Sequence, residues 1–321
     1  MPESHYYYQA FMSAIQRKIP HKATLVNTIT DILAIDKDAV YRRLRGEVNF
    51  TFIEMALIAK NIGISIDSIV GIESEQSKPT TVNITRHIKP TELDYRMFND
   101  YVNFLKYIQD EPETLLLSSG NILPHYLFYD YEYITRFYTL CWNHSSSFGR
   151  PSPYHEIILP EQMRALQKES CLYVRHIKSA HYVWDSSVFQ RLVDNIKFFT
   201  KIHFIQEEDV YLIKNDLIAL INHLEKLAVT GRHEDTGNQI SIYISDIYIE
   251  TNYSSIKTQN MNLGQFSVFL LTAISAYDEA VYNEISAWIL ARRRLSTLIS
   301  VSGEKARTIY FDTQREIINT L

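Results

Sequence analysis

The stretch 37–45 gathers the side chains of this chain that are best able to do chemistry. Four of its nine residues are basic, and a tyrosine lies among them: Lys37, Tyr41, Arg42, Arg43 and Arg45. Arginine can donate two hydrogen bonds to a guanine edge, and either basic side chain can neutralise a backbone phosphate. The chemistry predicted for this stretch is therefore binding in the major groove of DNA.

A short helix must present these side chains, and the flanking residues predict its ends. Asp36 is expected to cap its N-terminus, because a carboxylate oxygen accepts an otherwise unpaired backbone N–H. Gly46 is expected to end it, since glycine readily adopts a left-handed conformation. The turn before it falls at Ala34–Ile35. The helix before that turn is expected to bury four apolar residues: Leu25, Ile29, Ile32 and Leu33.

The segment 23–70 resembles the lambda-repressor-like (XRE-type) helix-turn-helix domain, and more closely the BetR-like variety of it. The resemblance rests on the turn Ala34–Asp36, the helical stretch Ala39–Gly46 and the trailing stretch Ile58–Asp67. It covers only the N-terminal part of the chain. It implies a DNA-binding transcriptional regulator whose second motif helix reads the bases.

The recognition-helix assignment implies a role for each polar side chain. Four residues in the N-terminal turns are expected to face base edges: Lys37, Asp38, Tyr41 and Arg42. Arg45, near the helix end, and Lys22 are better placed to contact phosphate. Asp38 would repel phosphate, so it is either a base contact or a helix-start charge favoured by the helix dipole. The role of Arg43 is open, and Leu44 is the candidate for the buried position beside it.

Charge is distributed unevenly along the chain. The formal net charge is −5, yet residues 17–46 hold seven Lys or Arg against three Asp or Glu. This balance excludes a protein that coats nucleic acid indiscriminately. A locally basic reading surface on an acidic chain suits a protein that binds one DNA site and is repelled elsewhere.

The pattern of apolar residues predicts two domains of α+β class. We expect an all-α domain of five helices at 1–72, a polar linker at 73–90 and a larger, mostly helical domain with an antiparallel β meander at 91–321. The first and fifth helices of the N-terminal domain are expected at Tyr6–Lys18 and Ile66–Val70. Strands are expected at 114–117, 180–184, 240–246, 247–251 and 265–273, and helices at 278–298 and 303–319.

Six apolar residues of one predicted helix repeat with coiled-coil spacing: Val210, Ile213, Leu217, Leu220, Leu224 and Leu227. This seam is either the buried face of a core helix or a dimerisation surface. A homodimer is expected in both cases, because one recognition helix reads too few bases.

No catalytic or metal-binding constellation accompanies the basic helix. The chain lacks a G-x-S-x-G elbow and a P-loop, so we expect no enzymatic activity and no cofactor. The spacings Cys141–His144 and Cys171–His176 suit zinc poorly, so no metal site is expected. Two cysteines are too few for a disulfide framework. The triplet Arg292–Arg294 is interpreted as a solvated helix face.

The leading hypothesis is a sequence-specific regulator that binds double-stranded DNA in the cytoplasm. No signal peptide is recognised, and the longest mainly apolar run, 266–277, is shorter than the ~20 residues that cross a bilayer. The second domain, rich in Tyr and Phe, could hold an apolar or aromatic small-molecule effector. The alternative is a protein-interaction adaptor whose helical head no longer binds DNA.

Overall fold

The computed structural model describes residues 3–66, 69, 83–84, 90–145, 152–269 and 272–321. The chain divides into two compact units, 1–81 and 82–321. The described part of the first unit is helical, and the second unit combines helices with a mixed sheet. This architecture confirms the predicted α+β class.

Four helices are described in the first unit: α1 (Glu3–Lys18), α2 (Lys22–Leu33), α3 (Lys37–Leu44) and α4 (Phe52–Ile62). Its core is formed by apolar residues from all four helices and the segment before α4: Phe11, Met12, Ile15, Leu25, Val26, Ile29, Val40, Phe50, Ile58 and Ala59. On α2, Leu25 and Ile29 are buried as predicted, whereas Ile32 and Leu33 are half-buried. The fifth helix predicted at Ile66–Val70 falls mostly outside the described residues.

The second unit is built on a sheet in which eight strands are described. They are β1 (Asn83–Ile84), β2 (Leu115–Gly120), β3 (Ser179–Asp185), β4 (Gln239–Ser245), β5 (Tyr253–Lys257), β6 (Leu263–Phe269), β7 (Thr272–Ala276) and β8 (Thr297–Leu298). Their order is β1-β7-β6-β5-β2-β3-β4-β8. Strands β2, β3 and β4 are parallel, and the other pairs are antiparallel.

The described helices of this unit lie in the connections between strands, except the last one, which follows β8. They are α5 (Glu92–Ile108), α6 (His125–Phe128), α7 (Glu132–Ser145), α8 (Glu161–Val174), α9 (Val188–Lys201), α10 (Glu207–Thr230), α11 (Glu279–Arg294) and α12 (Glu304–Asn319). Helices α6–α8 connect β2 to β3, and α9–α10 connect β3 to β4. Such helical crossovers are required between parallel strands.

An antiparallel meander is present, but it is formed by β5, β6 and β7 and not by the strands predicted at 240–246, 247–251 and 265–273. Strand β4 pairs with β3 in parallel and is separated from β5 by two other strands. The strand predicted at 247–251 does not form; the Ile249 N–H donates instead to Asp185 Oδ2 at 3.2 Å. The strand predicted at 265–273 is divided between β6 and β7. Alternation along a segment does not identify the partner of a strand, which explains the error at β4.

The predicted linker at 73–90 is described only in part. Asn83 and Ile84 form β1, which pairs with Ser275 and Ile274 of β7. This portion of the predicted linker therefore belongs to the sheet of the second unit. The remaining residues of 73–89 lie outside the described part of the chain.

The apolar seam of α10 lies in the core of the second unit. Ile213, Leu217, Leu220 and Leu224 are fully buried, and α10 packs against α7, α12 and β4. The dimerisation alternative for this seam is wrong, because its side chains are already covered within one chain. The core-helix alternative is the one that the structure confirms.

The outer edge of β4 is covered along its length by several short segments. Tyr243 and Ile244 pair with β8. The Ile242 N–H donates to Ser300 Oγ at 2.9 Å, and its carbonyl accepts the Ile299 N–H at 2.9 Å. The Ile240 N–H donates to the Gly231 carbonyl at 2.8 Å. The backbone groups at this edge are thus satisfied without a full-length neighbouring strand.

Candidate nucleic-acid interface

Helices α2 and α3 meet through a tight turn that places the basic helix on the surface of the first unit. Ala34 adopts a left-handed conformation with φ of 52°. Asp36 then caps α3, as predicted, by accepting the Ala39 N–H on Oδ1 at 2.7 Å. Helix α3 ends at Leu44, followed by Gly46 with φ of 74°. Val40 is the buried residue that anchors α3 to the core.

The six predicted site residues lie on two elements. Lys22 is the first residue of α2, Lys37 and Asp38 form the first turn of α3, and Tyr41 and Arg42 lie in its second turn. Arg45 follows as the C-terminal cap residue. Five are exposed, and Tyr41 is half-buried against the core of the unit. The structure therefore brings five of the six together on one short helix and its cap.

Glu47 contacts the two most accessible arginines of this surface. Arg45 Nε lies 2.6 Å from Glu47 Oε1, and Arg42 Nε lies 3.8 Å from Glu47 Oε2. The hydrogen bond with Arg45 lowers the pKa of the Glu47 carboxyl and raises the pKa of Arg45. The two arginine side chains remain 60% and 57% exposed, so a phosphate could still reach them.

Arg43 points away from this surface and joins α3 to α4. Its Nη2 donates to Glu54 Oε1 at 2.9 Å, its Nε donates to Glu54 Oε2 at 3.3 Å, and its Nη1 donates to the Ala39 carbonyl at 3.3 Å. The guanidinium also lies over the Phe50 ring, 5.9 Å from its centroid. These contacts answer the open question about Arg43: it fixes the orientation of α3.

Glu54 also belongs to the N-terminal cap of α4. The Thr51 N–H donates to Glu54 Oε2 at 2.8 Å, and the Glu54 N–H donates to Thr51 Oγ1 at 3.3 Å. This reciprocal pair is a capping box, and its T-x-x-E pattern is visible in the sequence at Thr51–Glu54. That pattern could have identified Glu54 as a structural partner. Glu47 carries no comparable signal, because it lies in a loop.

Leu44 takes part in the apolar core as expected, although it is only half-buried. Tyr8 of α1 completes the junction, since its hydroxyl donates to the Arg43 carbonyl at 3.4 Å and accepts the Phe50 N–H at 3.2 Å. Helix α1 is thereby linked to the C-terminal end of α3 and to the segment before α4.

The triplet Arg292–Arg294 differs from its interpretation as a solvated helix face. Arg293 Nη1 lies 2.7 Å from His181 Nδ1, and the Arg292 guanidinium lies 5.1 Å from the Trp288 ring centroid. Burial, followed by the nearby Arg293 charge, lowers the pKa of His181. Of the three, only Arg294 is exposed. Two of these arginines are therefore held against aromatic or imidazole rings.

Both cysteines considered for zinc are buried in the second unit. Cys141 and Cys171 are buried free thiols, and burial raises the pKa of each to about 12. The His144 ring packs edge-on against Phe199 and Phe204. Within the described ranges, no three His, Cys, Asp or Glu residues are grouped so that they could hold a metal ion.

No helix in these ranges is long and apolar enough to cross a membrane.

Comparison with known families gives one finding, which covers most of the first unit and the beginning of the second. Residues 14–93 match the model of the BetR domain, a helix-turn-helix type of DNA-binding domain. The match includes α2, the turn at Ala34, α3 and α4. It supports a helix-turn-helix regulator of transcription. Neither the curated proteins nor the solved structures provide a significant match to the chain.

Proposed function

We propose that this protein is a sequence-specific transcriptional regulator whose first unit is a lambda-repressor-like (XRE-type) reading head. The observation that carries the proposal is the exposed basic face of α3. That face is fixed from behind by the Asp36 cap and the Arg43–Glu54 pair, within the segment that matches the BetR domain. A rigid, exposed, basic helix is what direct readout in the major groove requires.

The positions on α3 suggest a division of roles. Lys37, Asp38, Tyr41 and Arg42 are proposed to face base edges, because the N-terminal part of a recognition helix enters the groove. Arg45 and Lys22 are proposed to contact phosphates. Arg43 takes no part, since its guanidinium is occupied by Glu54. A bidentate arginine contact to guanine would contribute roughly 1–3 kcal/mol of discrimination.

The second unit is proposed to act as an effector or dimerisation domain of a homodimer. Paired heads would place two α3 helices about one DNA turn apart, as this class of motif requires. Regulation rather than catalysis is the proposed activity, and neither a cofactor nor a metal is included in the proposal. We place this activity in the cytoplasm.

Selection of bound duplexes from a random pool by the purified full-length protein would test the proposal. We expect a palindromic consensus with half-sites one helical turn apart. Affinity for the selected duplex should fall steeply with salt, because bound Arg and Lys release counterions. Recovery of no consensus, together with a salt slope near zero, would overturn the proposal.

The double variant Arg42→Ala/Arg45→Ala assigns the binding to α3. We expect weaker binding to the selected duplex and a shallower salt slope, because a base contact and a phosphate contact are both removed. Lys305→Ala, which removes an exposed positive charge from α12, is the control and should leave binding unchanged. Unaltered binding by the double variant would refute the role of α3.

A protein-interaction adaptor is the second candidate, and one observation favours it. Phe52 and Ile53, at the start of α4, are 73% and 70% exposed, and Leu57 lies one turn further along. Large exposed apolar side chains in a cluster are typical of protein-binding surfaces. Under this alternative, Phe52→Ser/Ile53→Ser would abolish partner capture, and the full-length protein would show no salt-dependent duplex binding.

A further inference from the structure

The second unit contains a cavity of about 240 Å³ that the DNA-binding proposal does not use. It lies between α6, the end of α8, α10 and the middle of β3. Its walls include three tyrosines, Tyr126, Tyr131 and Tyr182, and two histidines, His223 and His233. These residues come from segments far apart in the sequence, so only the fold assembles them. Their rings offer flat surfaces suited to a flat ligand.

The cavity volume limits the size of a ligand. An engineered protein cavity of about 150 Å³ holds benzene. A cavity of about 240 Å³ therefore has room for one aromatic ring with a small substituent. A larger fused-ring ligand would need the walls to move.

The hydroxyl of Tyr182 indicates what that substituent must offer. Tyr182 is 1% exposed, and its buried hydroxyl has no hydrogen-bond partner in the part of the chain that is described. Burial raises the pKa of this phenol, so it remains protonated and can donate. A buried donor without an acceptor is unfavourable, and native proteins rarely leave one. A ligand that presents an acceptor to Tyr182 would satisfy it.

The charges around the cavity favour a ligand without charge. At the rim, Arg175 Nη2 lies 2.7 Å from Asp130 Oδ2, and Arg175 Nη1 lies 3.5 Å from Asp235 Oδ2. Burial, which outweighs the opposing charge of Asp235, lowers the pKa of His233 to about 4. Burial also lowers the pKa of His223. Both imidazoles are therefore neutral near pH 7, and the charged side chains of the rim satisfy each other.

We infer that this cavity binds an uncharged single aromatic ring with a small substituent that accepts a hydrogen bond from Tyr182. The inference rests on the proposed function in one respect only: the process that the ligand would control is DNA binding by the regulator. Ligand binding itself is a property of the second unit. The two can therefore be tested separately on the same full-length protein.

Calorimetric titration of the full-length protein with four probes of similar size tests this inference. The probes are benzamide, which is uncharged and has an acceptor; toluene, which has none; benzoate; and benzylamine. We expect saturable binding of benzamide, and weaker binding of the other three. Toluene lacks the acceptor, and neither benzoate nor benzylamine finds an unpaired counter-charge, because Arg175 is already paired with Asp130 and Asp235.

The variant Tyr182→Phe removes the hydroxyl and keeps the ring. It should weaken benzamide binding by about 2- to 12-fold, the range expected for one neutral hydrogen bond, and leave toluene binding unchanged. Tyr211→Phe, on the exposed surface of α10, is the matched control and should alter neither.

Three results would overturn the inference: no saturable benzamide binding, toluene or a charged probe binding as tightly as benzamide, or full benzamide affinity in Tyr182→Phe. The comparison of probes on the unaltered protein decides the question even if Tyr182→Phe does not fold. Duplex binding measured on the same preparation separates the two proposals. Retained duplex binding without benzamide binding would overturn this inference alone, and the reverse result would overturn the proposed function alone.

Discussion

Arg43 and Glu54 form a two-point ion pair that joins α3 to α4. Both side chains are only 18% exposed, and the two hydrogen bonds span 2.9 and 3.3 Å. Each residue also binds the backbone of its own surroundings, Arg43 at the Ala39 carbonyl and Glu54 at the Thr51 N–H. The direction in which α3 projects its exposed side chains therefore depends on a charge pair behind it.

This pair predicts acid sensitivity of the first unit. Burial opposes ionisation of Glu54, but the Thr51 N–H and Arg43 outweigh it, so the pKa of Glu54 lies below its ordinary value of 4.5. A depressed carboxyl pKa contributes stability that is present above the ordinary pKa and lost as the pH falls through the folded-state pKa. We expect the protection factors of the amide hydrogens in α3 and α4, which are corrected for the intrinsic exchange rate at each pH, to fall below about pH 4.5.

The variant Glu54→Gln checks the origin of this sensitivity. Glutamine can keep the capping box, but it removes the charge. The free energy of opening that hydrogen exchange reports for α3 and α4 at pH 7 should therefore fall by about 1.5–3 kcal/mol. Its dependence on pH should be flatter than that of the unaltered protein. Asp31→Asn, at an exposed carboxyl of α2, is the control for a general effect of charge. An equally steep acid response in Glu54→Gln would contradict this assignment.

The contact between Arg45 and Glu47 predicts a variant with stronger DNA binding. Glu47→Gln should release the Arg45 guanidinium and remove a negative charge near the proposed phosphate contact. We expect affinity for the selected duplex to rise by about 2- to 5-fold at low salt, with a steeper salt slope. Fluorescence anisotropy over a salt series would measure both. Glu304→Gln serves as control, and weaker binding by Glu47→Gln would contradict the expectation.

The left-handed conformation of Ala34 predicts a stabilising substitution. Its φ of 52° is unfavourable for a residue with a Cβ. Ala34→Gly should therefore raise the free energy of unfolding by about 0.5–1 kcal/mol, after the extra entropy of glycine in the unfolded chain is counted. Ala23→Gly, in the first turn of α2, should have the opposite sign. Denaturant unfolding followed by far-ultraviolet circular dichroism would compare them.

The burial of the α10 seam predicts a loss of stability rather than a loss of pairing. Leu217→Ala should lower the free energy of unfolding by about 2–5 kcal/mol, because it leaves a cavity in the core. Tryptophan fluorescence would report it, since Trp142 and Trp184 are buried in the same unit. Ile218→Ala, on the more exposed side of α10, should have little effect. Dissociation of a folded dimer by Leu217→Ala would contradict this view.

The local features of α2, the turn and α3 were predictable because they depend on residues that are close together in the sequence. Asp36 caps α3 through a residue three positions away, and Gly46 follows the end of the helix. The helical spacing of apolar residues in α2 correctly predicted that Leu25 and Ile29 are buried. The orientation of Arg43 was not predictable from α3 alone, because its partner Glu54 belongs to the next helix.

The features that sequence reasoning missed depend on contacts between distant segments. The alternation at 240–246 identified β4 but not its parallel partner β3. The pairing of these two strands depends on the helices α9 and α10, which connect them. The cavity around Tyr182 and His233 combines residues from four separate parts of the second unit. Neither the pairing of β3 with β4 nor the cavity corresponds to a periodic pattern or a short motif in the sequence.

The way β4 is covered on its outer side limits how copies of this protein can associate. A strand with free backbone groups can template the addition of a strand from another molecule, and fibrils grow by repeating that step. Here β8, Ser300 and Gly231 already occupy the donors and acceptors that such a strand would need. Adding a strand from another copy at this edge would therefore require local unfolding of the segments that cover it.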